Sequence, residues 1–206
     1  MAERQILSDR ALGVVDSVTL AISAAAKKAK ADGKDVISFA AGEPDYKTPA
    51  HICEAAIKAI KDGLHGYTDN AGLPALREAV CEKFQRDNKL EYKPAQTLVS
   101  PGAKFNLYLA AQAMINPGDE VIIPTPAWVS YPDIVKLAGG VPVELKCREE
   151  DGFSFGADQL RAAITPRTKL LILNSPSNPT GGIIPPKDIR AIAGVLEEKG
   201  IWCISD

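Results

Sequence analysis

The chain predicts an α/β fold with a mostly parallel sheet, and two observations carry that expectation. Short apolar runs, EVIIP, VPVEL, LLIL and IWCIS, recur through the second half, each separated from the next by a stretch of helical character. With 206 residues and 46% hydrophobic side chains, the chain is also long enough to bury one sizeable core.

Residues 17–32 (SVTLAISAAAKKAKAD) open on a capping serine, are rich in alanine and stop before Gly33, which predicts a helix. The apolar VISF at 36–39 predicts a short strand. Pro49 follows Thr48 at a first helical position, where proline loses no needed N–H, so residues 49–62 are expected to be helical up to Gly63. Leu73, Leu76, Val80 and Phe84 fall on one helical face, predicting an amphipathic, core-facing helix over 73–88 with Glu82 and Arg86 paired on the exposed side.

From residue 97 the alternation begins. It runs through a strand at 97–100 (TLVS), a helix after Pro101-Gly102, a strand at 120–124, a helix at 131–138 and a strand at 141–145. A helix at 158–164, a strand at 169–174, a helix at 186–199 and a strand at 201–205 complete it. Parallel neighbours need such crossover helices, which is why the sheet is expected to be parallel.

Lys plus Arg number 24 against 26 Asp plus Glu, and the charges are interspersed, so nothing predicts a nucleic-acid partner. Cys53, Cys81, Cys147 and Cys203 form no C-x-x-C pair and have no neighbouring histidine, so four reduced thiols and no metal site are expected. The charged start, MAERQILSDRALG, lacks a signal peptide's apolar core, and no run of about 18 apolar residues occurs. A cytoplasmic protein that neither enters nor crosses a membrane is the expectation. His51 and His65 stand apart from any carboxylate cluster or second imidazole and are expected at the surface.

In parallel sheets ligands gather beyond the carboxyl ends of the strands, where helix N-termini offer free N–H groups. Residues 174–182 (NSPSNPTGG) follow the buried run LLIL and are too rich in Asn, Pro and Gly to continue it, so they form a loop at such an end. Taken alone the segment could be no more than a tight turn.

Together with AAGEPD (40–45), YTDNAGLPALR (67–77) and PAWVSYP (126–132), NSPSNPTG resembles the bacterial-type aspartate aminotransferases of the class I/II, fold type I pyridoxal-phosphate family, in order and spacing over essentially the whole chain. The resemblance implies a three-layer α/β/α large domain, pyridoxal 5'-phosphate as cofactor, and transfer of an amino group between aspartate and 2-oxoglutarate. It implies that residues 1–45 form an N-terminal arm and part of a small domain, and that 46–206 form the N-terminal part of the large cofactor-binding domain. A homodimer with shared active sites follows from the same source.

The resemblance also assigns roles. Asp206 would pair with the protonated pyridine nitrogen and keep the ring an electron sink, and Trp128 would stack on that ring. Asn178 would donate to the phenolic oxygen and touch the substrate carboxylate. Gly102, Ala103 and Lys104 would seat the phosphate at a helix start, with Lys104 near the substrate's distal carboxylate. Tyr67 would reach the phosphate held by the neighbouring subunit. Gly42 would offer its N–H to the α-carboxylate, a role that competes with an ordinary turn glycine. Ser17 and Thr19 match positions near the substrate side chain and equally suit a helix cap and a plain helical residue.

The family's aldimine-forming lysine, and the arginines at the phosphate and the α-carboxylate, are expected downstream of Asp206, so these residues alone are expected to be inactive. Three readings remain open on the sequence: part of an aspartate or aspartate/prephenate aminotransferase, part of another fold type I enzyme such as a lyase or synthase, or a non-catalytic cofactor-binding fragment.

Overall fold

The computed structural model describes residues 6–14, 18–39, 42 and 44–206. The chain divides into two compact units: one joins the described part of Met1–Asp16 to Lys104–Asp206, and the other comprises the described part of Ser17–Ala103.

The first unit holds the sheet. Strands β1 (Glu120–Thr125), β2 (Val141–Lys146), β3 (Thr168–Leu173) and β4 (Trp202–Ser205) lie in the order β2-β1-β3-β4, and every neighbouring pair is parallel. Ile122 stands opposite both Val143 and Leu171, and Leu171 opposite Cys203.

Successive strand side chains point to opposite faces, so each central strand feeds two cores. Val121 and Ile123 of β1 and Leu170 and Ile172 of β3 join Leu107 and Ala111 of helix α5 (Ala103–Met114) and Ile134 and Val135 of α6 (Ser130–Leu137). Ile122 and Leu171 instead meet Leu160 of α7 (Ala157–Ala163) and Ile192, Val195 and Leu196 of α8 (Pro186–Lys199). The result is the expected three-layer α/β/α arrangement. Val121, Ile122, Leu170 and Leu171 are fully buried, and burial of such a side chain stabilises by about 1.5–3 kcal/mol.

At the amino end of β1 the buried Glu120 carboxylate accepts from the Thr165 hydroxyl and the Arg167 guanidinium. A buried charge is tolerated only when paired and hydrogen-bonded. These donors hold Glu120 below the usual carboxylate range. Helix α8 ends at Gly200, whose φ of 65° lets Ile201 N–H reach back to the Leu196 carbonyl before β4 begins.

Connectivity sets the site. From β1 the chain steps outward to β2, then returns past β1 to add β3 and β4 on the other side. The direction of winding reverses between β1 and β3, and the crevice at their carboxyl ends is where such sheets take ligands.

The short helix α1 (Asp9–Leu12) also belongs to this unit; Ser8 caps it by accepting from Ala11 N–H. The second unit contains α2 (Val18–Ala31), α3 (Ala50–Lys61) and α4 (Pro74–Lys83), close to the expected helices. Four expectations fail there. Residues 36–39 and 97–100 are not strands: Phe39 is 94% exposed, and Val99 makes a single backbone bond to the Ala71 carbonyl of a turn, with no strand beside it to extend a ladder. The α4 face is not buried within its unit, because no sheet is present among that unit's described residues to receive it; Leu73 and Leu76 stay about half exposed. Arg86 pairs with Asp87 rather than Glu82, since the chain widens into a π-helical turn at Phe84–Asn88 that re-registers the side chains.

Candidate active site

Three of the residues singled out in the sequence follow the carboxyl ends of three strands. Trp128 lies between β1 and α6, Asn178 in the loop after β3, and Asp206 directly after β4.

Asp206 is held at two points. Its N–H continues the parallel ladder by donating to the Leu173 carbonyl at 2.9 Å, and its carboxylate accepts a short hydrogen bond from the Tyr131 hydroxyl. Tyr131 sits in the first turn of α6, is only 2% exposed, and packs within the core formed by α5, α6 and the sheet. Burial, and next the facing carboxylate, push its hydroxyl far above the usual phenol range, so it stays a donor.

Trp128 stands edge-on to Tyr131, with ring centroids 5.3 Å apart and planes at 86°. The arrangement suits the aromatic quadrupoles and fixes the indole plane. Lys104, in the first turn of α5, places its ammonium 4.8 Å from the Trp128 ring centroid, a cation–π contact. Trp128, Tyr131, Asp206 and Lys104 are thus linked in one chain of contacts.

Asn178 belongs to a loop that closes on itself. Gly181 N–H donates to the Ser177 carbonyl and Ser177 N–H to the Gly182 carbonyl, while the Ser175 hydroxyl accepts from Ile184 N–H. A Cβ at Gly182 would meet the Gly152 carbonyl oxygen at 2.8 Å, so only glycine fits where the loop passes the Gly152-Phe153 turn. Asn174, the first residue of the loop, accepts from Asn178 N–H at 2.7 Å and donates to the Asp206 carbonyl at 3.1 Å.

Beneath the loop a hollow at the ends of β1 and β3 is lined by Tyr131, Asn174, Ser177 and Asn178 on its polar side. Cys147 also lines it, and burial pushes that thiol upward, away from a reactive thiolate.

The remaining candidates stand in the second unit. Gly42 and Tyr67 are exposed, Thr19 is half-buried at the start of α2, and Ser17 lies outside the described residues. Gly102 takes a φ of 88°, which favours glycine, and its N–H is engaged by the Ser100 carbonyl at 2.8 Å. The free N–H groups of that helix start therefore begin at Ala103. Both histidines are exposed, and all four cysteines are free. Among the described residues no group of three or more His, Cys, Asp or Glu could hold a metal, and no helix is long and apolar enough to cross a membrane.

Tyr131 and Asn174 were not singled out in the sequence, although both lie inside motifs that were. The available signal at Asn174 was an Asx residue ending an apolar strand, where its short amide replaces backbone partners that the turn removes.

Fold and site together define a parallel α/β protein whose ligand crevice carries an indole, an amide and a carboxylate on neighbouring strand ends. The family model for aminotransferase class I and II matches residues 34–206, and the chain belongs to that family. It is 50% identical over 203 residues to an aspartate aminotransferase of Bacillus sp. (strain YM-2), an alignment covering 98% of this chain and 52% of that relative. It is likewise 50% identical over 201 residues to an aspartate/prephenate aminotransferase of Cereibacter sphaeroides, covering 97% of this chain and 50% of the relative. The solved Thermus thermophilus aspartate aminotransferase with maleate superposes with a TM-score of 0.95 at 44% identity, covering 98% of this chain and 53% of that one. The chain spans about half the length of the curated relatives it matches.

Proposed function

We propose that the chain forms the front part of a pyridoxal-phosphate-dependent aminotransferase that exchanges an amino group between aspartate and 2-oxoglutarate, with residues 1–45 as arm and small-domain segment and 46–206 as part of the cofactor-binding domain. The observation that carries this reading is the Trp128, Tyr131 and Asp206 cluster facing the Asn174 to Asn178 loop across the ends of β1, β3 and β4. The named activities of the Bacillus and Cereibacter relatives support it.

The donor set fits the cofactor. A carboxylate suits a protonated pyridine nitrogen, a neutral amide suits a phenolic oxygen, and a flat indole suits the ring face. A helix start with a lysine suits a phosphate. When bound, pyridoxal phosphate supplies the carbonyl that takes up the amino group and the ring that accepts the electron pair released at the α-carbon.

In this reading Asp206 holds a proton at the pyridine nitrogen, and Tyr131 keeps its carboxylate aimed. Trp128 fixes the ring plane, and Asn178 donates to the phenolic oxygen. The N–H groups from Ala103 onward, with Gly102 forming the turn, hold the phosphate. Lys104 reaches the distal carboxylate of a dicarboxylic substrate, a choice that the maleate in the Thermus structure supports. Gly42 meets the α-carboxylate, and Ser17 and Thr19 stand near the substrate side chain. Tyr67, fully exposed in its own unit, reaches the phosphate of a second copy, making a homodimer with shared sites. The name of the Cereibacter relative also favours prephenate as an acceptor.

The protein carrying this chain is expected to bind pyridoxal phosphate with a visible absorption band and to form oxaloacetate and glutamate from aspartate and 2-oxoglutarate. Asp206→Ala should abolish turnover. Fumarate and ammonia in place of oxaloacetate and glutamate would assign a lyase instead.

A further inference from the structure

We infer that Asn174 is a positioning residue that fastens the Asn178 loop to the Asp206 end of β4, so that the two side chains meeting different atoms of one flat ring are set by a single amide. The inference deepens the function proposed above and rests on it.

Strand β3 ends at Leu173, whose carbonyl still accepts from Asp206 N–H. One step further the ladder would need a donor for the Asp206 carbonyl. That position falls to Ser175, where the chain has already left β3 and turned into the loop. The Asn174 side chain takes over: Nδ2 donates to the Asp206 carbonyl at 3.1 Å, and Oδ1 accepts from Asn178 N–H at 2.7 Å. Both partners are backbone groups of fixed polarity, which determines the orientation of the amide.

Neither aspartate nor alanine meets both functions. Aspartate accepts but does not donate, and alanine does neither. The Asp206 carboxylate is aimed by Tyr131 from α6, whereas its main chain is tied by Asn174 to the same loop that carries Asn178. A residue needed only to close a turn has no reason to join the ends of two different strands.

The test uses the protein carrying this chain, loaded with pyridoxal phosphate. Asn174→Ala is expected to weaken pyridoxal phosphate binding roughly tenfold, equivalent to about 1.4 kcal/mol. It should also move the midpoint of the bound cofactor's visible-absorption pH titration by about one pH unit. In an Asn178→Ala background the same substitution should move that midpoint less, because part of its effect acts through Asn178. Asn174→Asp, nearly isosteric, keeps the acceptor and is expected to give a smaller shift than Asn174→Ala. A lowered thermal midpoint with unchanged affinity and unchanged titration midpoint, in Asn174→Ala or in Asn174→Asp should the alanine variant not fold, would overturn the inference. A wild-type protein that takes up no pyridoxal phosphate would sink the underlying function and the inference together; normal wild-type uptake beside unaltered variants sinks the inference alone.

Discussion

The Tyr131 hydroxyl donates to the Asp206 carboxylate, joining the first turn of α6 to the end of β4 across 75 residues of sequence. Asp206 directly follows β4 and is itself exposed, yet its partner is core. A polar group on the surface of the site is therefore steered by one that packing has already immobilised.

This pair predicts a stability change at alkaline pH. Burial and the Asp206 charge raise the Tyr131 hydroxyl in the folded state, while an unfolded tyrosine ionises near about pH 10. The folded state then binds the proton more tightly, so the stabilisation is complete below about pH 10 and is lost as pH rises beyond it. Tyr131→Phe should flatten that decline in thermal midpoints between neutral pH and the alkaline range. An equally steep decline in the variant would assign the effect to other groups.

Turnover should respond to the same substitution. Phenylalanine keeps the ring packed against Trp128 but removes the donor, a loss of about 1.5–3 kcal/mol for a hydrogen bond to a charged group. Steady-state assays with aspartate and 2-oxoglutarate should show a fall in kcat greater than any change in KM. Unaltered kcat would remove Tyr131 from the aiming of Asp206.

At the opposite end of the sheet the sign reverses. Thr165 and then Arg167 depress the Glu120 carboxyl from its ordinary value of 4.5, so its contribution is present above that value and lost as pH falls through the lower folded value. Glu120→Gln should lower the thermal midpoint at neutral pH, and the difference from wild type should shrink under acid. A difference that is constant with pH would mean that the charge contributes nothing.

The loop glycines are not equivalent. Gly182→Ala forces a Cβ to 2.8 Å from the Gly152 carbonyl oxygen, and overpacking of this kind costs about 1–3 kcal/mol. Gly181 has open space around its absent Cβ but a φ of 71°, so alanine there meets only the left-handed backbone cost of about 1–2 kcal/mol. Denaturant titrations should rank Gly182→Ala as the more damaging, with a loss of affinity for pyridoxal phosphate beside it. The reverse order would show that the Gly152 turn yields.

Lys104 connects the indole to charge recognition. Lys104→Gln keeps a polar side chain but removes the cation over Trp128, and under the proposed function it should raise the KM for aspartate roughly tenfold, about 1.4 kcal/mol. The KM for a monocarboxylic amino acid should move much less. Equal changes for both substrates would place Lys104 away from the distal carboxylate.

Much of this was legible along the chain. The runs EVIIP and LLIL became the two central strands, apolar because both of their faces are buried, VPVEL and IWCIS became the flanking strands, and helical crossovers oblige all four to be parallel. The helix expected at 186–199 became α8, opened by Pro186 and closed by Gly200. By contrast VISF and TLVS carry the composition of strands but form no ladder among the described residues, and a strand exists only through the run of partners that completes its hydrogen bonds. The helical face of α4 failed for a related reason, since burial belongs to a surface and its counterpart jointly.

The same division runs through the site. Local sequence, with the family resemblance, determined which residue types stand at the strand ends: Trp128 after β1, the Asn-rich loop after β3, Asp206 after β4. Only tertiary structure decided that Tyr131 aims Asp206, that Lys104 covers Trp128 and that Asn174 ties the loop to the neighbouring strand. The strand order β2-β1-β3-β4 brings those ends together. Directional contacts depend on that long-range order, which no local pattern of residues encodes.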